Sequence, residues 1–431
     1  MSNSRRGLKN PWNTFLGNCN VVDSYLNEVD KNTKGDKRLK RQPWSLKWAL
    51  PHFINVFLRS ASMPILACNP ISGLLIITGL FVAKVEVGLA TLLATFTSVL
   101  IEFIFGFQPW AEITNGAATF NGLLFGAITT SVFPGFVGME NVPFHIWIII
   151  PLGAIASVML SGALSRAFRP FHLPYLALPF SIMCSIVFVA MQTQFEFPEV
   201  EIKHEEVLHE VNVLNTTEID WIQVGEGIFL SIGQVYGVKC YITSALIAVA
   251  VFIFSPVLLF FRSFGSIHWY SYRRKITETS AANNKILGYS MRVGLVPIEH
   301  IQSVYDGGFG FNSILSCGFI GATYFICGIK PTILGAFNAL IAVFVQVALS
   351  QQFVIPVFAL PFSITSIFFS LLRSPGLIQS DGAGGYPEGN FFLWESRAKA
   401  EMEALERERN HAEEKDPELK EILKNNVDHK V

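Results

Sequence analysis

The chain has 431 residues, of which 51% are hydrophobic and 15% charged, and its formal net charge is −1. Soluble domains carry roughly 25% charged residues, so this composition excludes an ordinary soluble domain and indicates an all-helical membrane protein. The near-zero net charge also argues against binding to nucleic acid.

The first 47 residues are polar and carry ten basic side chains against four acidic ones. They contain no apolar stretch of the kind found in a cleaved signal peptide. Because basic residues that precede a first span usually stay on the inside, we expect residues 1–47 to form a cytoplasmic basic tail.

Residues 48–193 contain only eight charged side chains and are expected to form a first transmembrane repeat. Its apolar segments are 48–67, 71–83, 87–106, 117–133, 145–163 and 173–193. Several are shorter than the ~20 residues that a full span needs, so 71–83 is either a tilted span or a re-entrant half-helix. Asn121 and Gly122 interrupt 117–133, which we interpret as re-entrant.

An acidic connector follows at residues 194–221, and it contains the sequon Asn215-Thr216-Thr217. Such a sequon is used only outside the cytoplasm. An odd number of spans after a cytoplasmic N-terminus also leads outside. We therefore expect an extracellular acidic loop with a glycosylated Asn215.

A second transmembrane repeat is expected over residues 222–373. Its apolar segments are 224–237, 241–261, 286–298, 309–328, 331–350 and 354–372. Two sequence motifs also recur: LPYLALPFSI from Leu173 returns as IPVFALPFSI from Ile355, and FNGLL from Phe120 returns as FNSIL from Phe311. Halves with odd numbers of spans enter the membrane from opposite sides, which predicts inverted repeats with a solute path between them.

Residues 374–431 are polar and are expected to form a cytoplasmic charged tail, with a solvated or partner-binding helix over 398–424. One stretch conflicts with the expected topology. Residues 262–285 contain Arg262, Arg273, Arg274 and Lys275 in a predicted outside region, and we retain the inverted topology because long loops weaken the charge rule.

The residues show no pattern of catalysis. The histidines and cysteines lack paired-ligand spacing, and no nucleotide-binding loop occurs, so we expect no enzyme activity, no metal and no cofactor. Isolated carboxylates argue against a proton relay. In contrast, Phe120 and Phe311 each precede an asparagine at matched positions. Two rings across a narrow slot would accept a flat, uncharged solute and resist hydrated ions.

These residues resemble the urea transporter family. The similar segments are Asn69-Pro70-Ile71-Ser72-Gly73-Leu74, Phe120-Asn121-Gly122, Leu173 to Phe180, Gly233-Gln234-Val235-Tyr236-Gly237, Phe309 to Ser313 and Tyr386-Pro387-Glu388. The resemblance implies two inverted halves of about five spans plus a re-entrant half-helix each. It also implies homotrimers in the plasma membrane, with both termini cytoplasmic, that conduct urea or a similar small neutral amide passively.

The resemblance further implies which residues line the pore. They are Phe120, Leu124, Phe311, Leu315, Gln234, Val235, Met63, Leu66, Ala177 and Ala359. The pairs Phe120 with Leu124 and Phe311 with Leu315 would wall the two slots. Gln234 matches the polar residue that helps to bind the solute.

Four of these positions depart from the family. Met63 replaces a polar residue, Leu66 a phenylalanine, and Ala177 and Ala359 replace central threonines; in addition, the second Asn-Pro is lost at Cys240. Losing two hydroxyls removes hydrogen-bond partners, which predicts a wider and more apolar centre. The alternatives are a pore for ammonia, water or methylated amides, or a non-conducting membrane scaffold of the same fold.

Overall fold

The computed structural model describes residues 16–19, 21–22, 25–26, 49–192, 221–261, 301–382 and 385–415. Within these ranges the regular elements are helices, apart from one isolated bridge between Phe325 and Gln379. The predicted all-helical class is therefore confirmed for the described part. The predictions for the connector with Asn215, for 262–285 and for 286–298 lie outside the described residues.

The helices follow one another in two similar series. The first contains α1 (Ala49–Ser62), α2 (Pro70–Ala83), α3 (Val85–Phe105), the short α4 (Trp110–Thr114), α5 (Phe120–Phe136), α6 (Phe144–Phe168) and α7 (Leu178–Gln192). The second contains α8 (Trp221–Gln234), α9 (Tyr241–Phe254), the short α10 (Ile301–Tyr305), α11 (Gly310–Gly318, continued by a π-helix over Phe319–Tyr324), α12 (Ile329–Gln352) and α13 (Leu360–Ser370). A last helix, α14 (Pro387–Lys415), begins earlier than the predicted tail helix.

Three described helices are long and apolar enough to cross a membrane, namely Val85–Phe105, Phe144–Phe171 and Ile329–Gln352. A fourth candidate is the bent pair Ala49–Ile65 and Pro70–Ala83, whose axes meet at 74°. Such a pair is either a broken span or a re-entrant loop. The sequence indicates that 117–133 is re-entrant and leaves 71–83 as either a tilted span or a re-entrant half-helix. The bend at α1 and α2 makes the second segment part of a candidate re-entrant pair.

Local sequence explains the bend between α1 and α2. Pro64 lies in the 3₁₀ turn that ends α1, and Leu66 takes the left-handed conformation with φ 58°. The Asn69 side chain then accepts hydrogen bonds from the backbone N–H groups of Ile71 and Ser72, which begins α2. A proline, a left-handed residue and an N-cap in sequence redirect the chain without leaving its first amide groups unpaired.

Three apolar segments differ from the prediction. Segment 241–261 is two helical pieces, because Ser255 is extended with φ −159° and Pro256 follows it. The segments predicted from 173 and 354 become helical only at Leu178 and Leu360. Residues 173–177 and 355–359 stay irregular, and Leu176 and Phe358 both have φ 48°.

The α2 and α9 helices exchange the same pair of contacts. Ser72 Oγ donates to the Ala250 carbonyl at 2.6 Å, and Thr243 Oγ1 donates to the Gly79 carbonyl at 2.7 Å. Ser72 and Thr243 lie 171 positions apart in the sequence, as do Gly79 and Ala250. The two hydrogen bonds are therefore equivalent: replacing Ser72 by its counterpart Thr243, and Ala250 by its counterpart Gly79, turns the first bond into the second.

Two glycines allow α1 to lie against its neighbours. A Cβ atom on Gly73 of α2 would overlap the Leu58 carbonyl oxygen of α1. Gly116, which has φ 82°, lies against the backbone of Ser60. Because both contacts are with backbone atoms of α1, side-chain motion cannot make room for a larger residue at either glycine.

Candidate functional site

A cavity of about 920 Å³ lies between the two series of helices. Its wall includes all ten residues that the sequence indicated as pore-lining: Phe120, Leu124, Phe311, Leu315, Gln234, Val235, Met63, Leu66, Ala177 and Ala359. The structure thus brings together side chains that are separated by up to about 300 positions in the chain.

One face of α5 and one face of α11 form much of this wall. The lining residues on these faces are Phe120, Leu124 and Ile128 of α5, and Phe311, Leu315 and Phe319 of α11 and its π-helical extension. In α5 the four-residue spacing puts the side chains on one side of the helix. Phe120 and Phe311 are the first lining residues of the two helices.

Irregular backbone lines the cavity beside α5. Residues 173–177 all belong to its wall. Asn121 Nδ2 donates to the Leu176 carbonyl at 3.2 Å, and Asn121 Oδ1 accepts from the Phe180 backbone N–H at 3.3 Å. The buried Asn121 side chain therefore holds the strained Leu176 and the first turn of α7 in place.

The second half repeats this arrangement. Asn312 Nδ2 donates to the Phe358 carbonyl at 3.2 Å, and Asn312 Oδ1 accepts from the Phe362 backbone N–H at 3.3 Å. Asn312 Nδ2 also donates to Gln346 Oε1 at 2.9 Å. The sequence motifs contained both asparagines, but their bonds to distant backbone could be found only in the structure.

The residues next to these bonds are the two alanines of the predicted centre. Ala177 and Ala359 are 4% and 3% exposed, and both belong to the cavity wall. The Ala177 carbonyl accepts from Ser181 Oγ at 2.9 Å within the helix that follows. Methyl groups therefore stand at both positions where a threonine would offer a hydroxyl.

The part of the chain before α6 contributes both apolar and polar side chains to the wall. Met63 and Leu66 are apolar, and Asn18 and Glu112 are polar. Glu112 pairs with Arg169 at 3.7 Å. From the sequence, Asn18 belongs to the cytoplasmic tail and Glu112 has no role, so neither contribution is predicted.

The second half contributes two amide side chains to the wall, those of Gln234 and Gln346. Gln234 Nε2 donates to the Asp306 carbonyl at 2.9 Å, and Gln346 Nε2 donates to the Gly308 carbonyl at 2.9 Å. Gln234 Oε1 has no donor among the residues that the structure describes. A ligand beside Gln234 would therefore meet an available carbonyl-type acceptor.

The described cavity wall contains two charged side chains, Glu112 and Arg169, and both belong to the first half of the chain. Two other charged residues, Arg59 and Glu102, are only 2% and 1% exposed, but neither belongs to the wall. Apart from the pair of Glu112 and Arg169, a solute would meet no ionic group of the described wall.

We expect replacement of Asn121 or Asn312 by alanine to destabilise the protein by roughly 1–3 kcal/mol each, because each change leaves a buried carbonyl and a buried N–H without a partner. The measurement is the thermal unfolding temperature in detergent. Asn141→Ala is the control, since Asn141 is exposed. Equal unfolding temperatures for all three variants would contradict the structural role of the two asparagines.

The chain is similar to known proteins. The family model described as "Urea transporter" matches residues 54–293 and 279–374. "Urea transporter 1" of Rattus norvegicus is 26% identical over 275 residues, which cover 63% of this chain and 64% of that protein. "Urea transporter 1" of Ovis aries is 24% identical over 369 residues, covering 82% and 86%. The protein of the same name from Capra hircus is 24% identical over 367 residues, with the same two coverages.

Proposed function

The chain belongs to the urea transporter family, and we propose that it conducts urea, or a closely similar small neutral amide, passively down its gradient. Membership places it among transporters and not among enzymes. The observation that carries the proposal is a cavity between the halves whose wall holds Phe120 and Phe311 at matched positions.

The chemistry of this wall fits a flat molecule with N–H groups. Ring faces at Phe120 and Phe311 accept a planar solute, while carbonyl oxygens of the irregular segments 173–177 and 355–359 offer acceptors for its N–H groups. A hydrated ion would have to give up water without ionic compensation along the middle of the cavity. These features support neutral solutes over ions.

A wider range of solutes is the second candidate. Met63, Leu66, Ala177 and Ala359 put only apolar side chains at four positions of the wall. This observation favours ammonia, water or methylated amides beside urea. A membrane scaffold of the same fold that conducts nothing is the third candidate, and it predicts no flux at all.

We also propose two inverted halves, residues 48–193 and 222–373, with about five spans and one re-entrant half-helix each. The reciprocal bonds of Ser72 and Thr243 support a two-fold relation between halves. The short α1, which ends at the cavity wall and meets α2 at 74°, is a stronger candidate for the re-entrant element than 117–133.

The same proposal covers the surroundings of the protein. Gly385 and Asn18 lie against each other, which supports both termini on one side of the membrane, the cytoplasmic side. Residues 194–221 would then lie outside, with Asn215 glycosylated. We propose a homotrimer in the plasma membrane, as the family resemblance implies.

Flux of labelled urea into liposomes that contain the purified protein tests the function. We expect uptake above that of empty liposomes, and no change when a sodium gradient, a proton gradient or the membrane potential is removed, because the cavity wall offers no buried charge pair to couple an ion. Uptake that collapses with one of these gradients would contradict passive conduction. No uptake would favour the scaffold.

Restoring hydroxyls at the centre should sharpen selectivity. We expect Ala177→Thr combined with Ala359→Thr to raise the permeability ratio of urea to N-methylurea, because two hydroxyls can replace hydrogen bonds that urea loses with its water. Ala163→Thr is the control, since Ala163 is exposed on α6. An unchanged ratio would mean that the ring slots and carbonyls alone set selectivity.

A further inference from the structure

The amide of Gln234, which belongs to the cavity wall, is oriented by a backbone carbonyl. Gln234 Nε2 donates to the Asp306 carbonyl oxygen at 2.9 Å. Because a carbonyl oxygen can only accept a hydrogen bond, this contact determines which end of the amide is the nitrogen and leaves Oε1 as the acceptor. Whatever holds the Asp306 carbonyl in place therefore also determines how Gln234 can bind a solute.

The turn that contains Asp306 lies against α8. It follows α10, where the Asp306 N–H donates to the Gln302 carbonyl at 2.9 Å, and Gly307 has φ 80°. A Cβ atom on Gly307 would overlap the backbone nitrogen of Ser231, whose Oγ donates to the Gly307 carbonyl at 3.0 Å. Ser231 and Gln234 are three residues apart on α8, so one face of this helix binds two successive carbonyls of the turn.

The Asp306 side chain adds a further attachment. Its Oδ1 forms an ion pair with Lys239 Nζ and accepts from Gln302 Nε2 at 3.0 Å. Lys239 lies five residues after Gln234, in the connection between α8 and α9. Asp306 is therefore joined to this part of the chain twice, through its carbonyl to Gln234 and through its carboxylate to Lys239.

The first half makes the corresponding connection without charge. The positions matched to Gln234, Lys239 and Asp306 are Met63, Cys68 and Asn115, at offsets of 171, 171 and 191 residues. Cys68 Sγ donates to the Asn115 carbonyl at 3.4 Å. Met63 carries no N–H group that this carbonyl could orient. Of the two matched connections, the one with an ion pair is thus the one that lies beside an amide of the cavity wall.

We propose that Lys239 and Asp306 are positioning residues for solute binding by Gln234. Their ion pair holds the Asp306 carbonyl on Gln234 Nε2, so that Oε1 stays available to an N–H group of the solute. Neither residue belongs to the described cavity wall, so both act on affinity through Gln234. This inference rests on the proposed conduction of urea or a similar amide.

The test measures the half-saturation concentration and the maximal rate of urea flux in liposomes that contain the full chain. Lys239→Met removes the ion pair, and we expect the half-saturation concentration to rise about twofold to fivefold, the range for a partly exposed ion pair, with little change in the maximal rate. Lys239→Arg keeps the charge and should keep the original value. Arg407→Met is the control, because it removes an exposed ion pair with Glu403 on α14 and should change neither quantity.

The same change in a Gln234→Leu background separates positioning from a general structural role. With the amide removed, adding Lys239→Met should leave the half-saturation concentration where Gln234→Leu alone puts it. An equal rise with and without Gln234, or an unchanged value in Lys239→Met, overturns the inference while urea conduction stands. Absence of urea flux in the unmodified protein overturns the proposed function and this inference with it.

Discussion

Replacement of Ala359 by tryptophan is expected to lower urea permeability by roughly a hundredfold, which corresponds to about 3 kcal/mol on the barrier to passage. Ala359 immediately precedes α13, is 3% exposed and belongs to the cavity wall. An indole in place of a methyl group can go only into the cavity or into closely packed neighbours. Because the cavity offers the space, the ring should obstruct the path itself.

The graded series Ala359→Val, Ala359→Leu and Ala359→Trp, measured by stopped-flow urea flux, separates obstruction from misfolding. Flux should decrease with side-chain volume while the elution volume and the unfolding temperature change little. Ala177→Trp should act in the same way, and Ala163→Trp, on an exposed face of α6, should not. Full flux in the two folded tryptophan variants at the centre would show that urea does not pass there.

Gly73→Ala is expected to have the largest effect on stability, a loss of roughly 3 kcal/mol or more. The added Cβ would overlap the Leu58 carbonyl oxygen, and α1 cannot withdraw because Gly116 packs against it at Ser60. The close approach of α1 and α2 determines where Met63 and Leu66 line the cavity, so we expect little folded protein and low flux.

Gly135→Ala provides the matched control. Gly135 also lies in a helix, α5, but a Cβ atom there would have no neighbour within 4 Å. Alanine should be neutral or stabilising by up to about 1 kcal/mol, because it has the higher helix propensity. The measurement is the unfolding temperature of both variants in the same detergent. If the two alanine variants unfold alike, the backbone contact between α1 and α2 is absent.

The long helices were predictable because hydropathy alone specifies them. Predicted segments 87–106, 145–163 and 331–350 each differ by only a few residues from α3, α6 and α12, except at the C-terminus of α6. An apolar run of that length in a chain with so few charges has no stable alternative to a helix in lipid. Their bounds therefore needed no tertiary information.

The candidate cavity was predictable for a different reason, and only in part. The repeated motifs gave Phe120 and Phe311 as a matched pair. The family resemblance added eight further residues, and all ten belong to the cavity wall. Asn18 has no such signal, because its place depends on the bond from Arg59 to the Asn18 carbonyl and the bond from Asn69 to the Gly17 carbonyl, which span 41 and 52 positions. Hydropathy and motifs do not encode pairings at that distance.

The two halves contribute different side chains to the cavity wall, with Met63 in the first half where the second half has Gln234. In a passive path this asymmetry cannot accumulate solute, because net flow must vanish when both baths hold equal concentrations. The asymmetry can therefore affect only the rates of transport. The solute concentration that gives half-maximal flux can differ between the two sides, but the maximal rates must then differ by the same ratio. A protein inserted in one orientation would carry unequal fluxes in the two directions near saturation and equal fluxes in dilute solution.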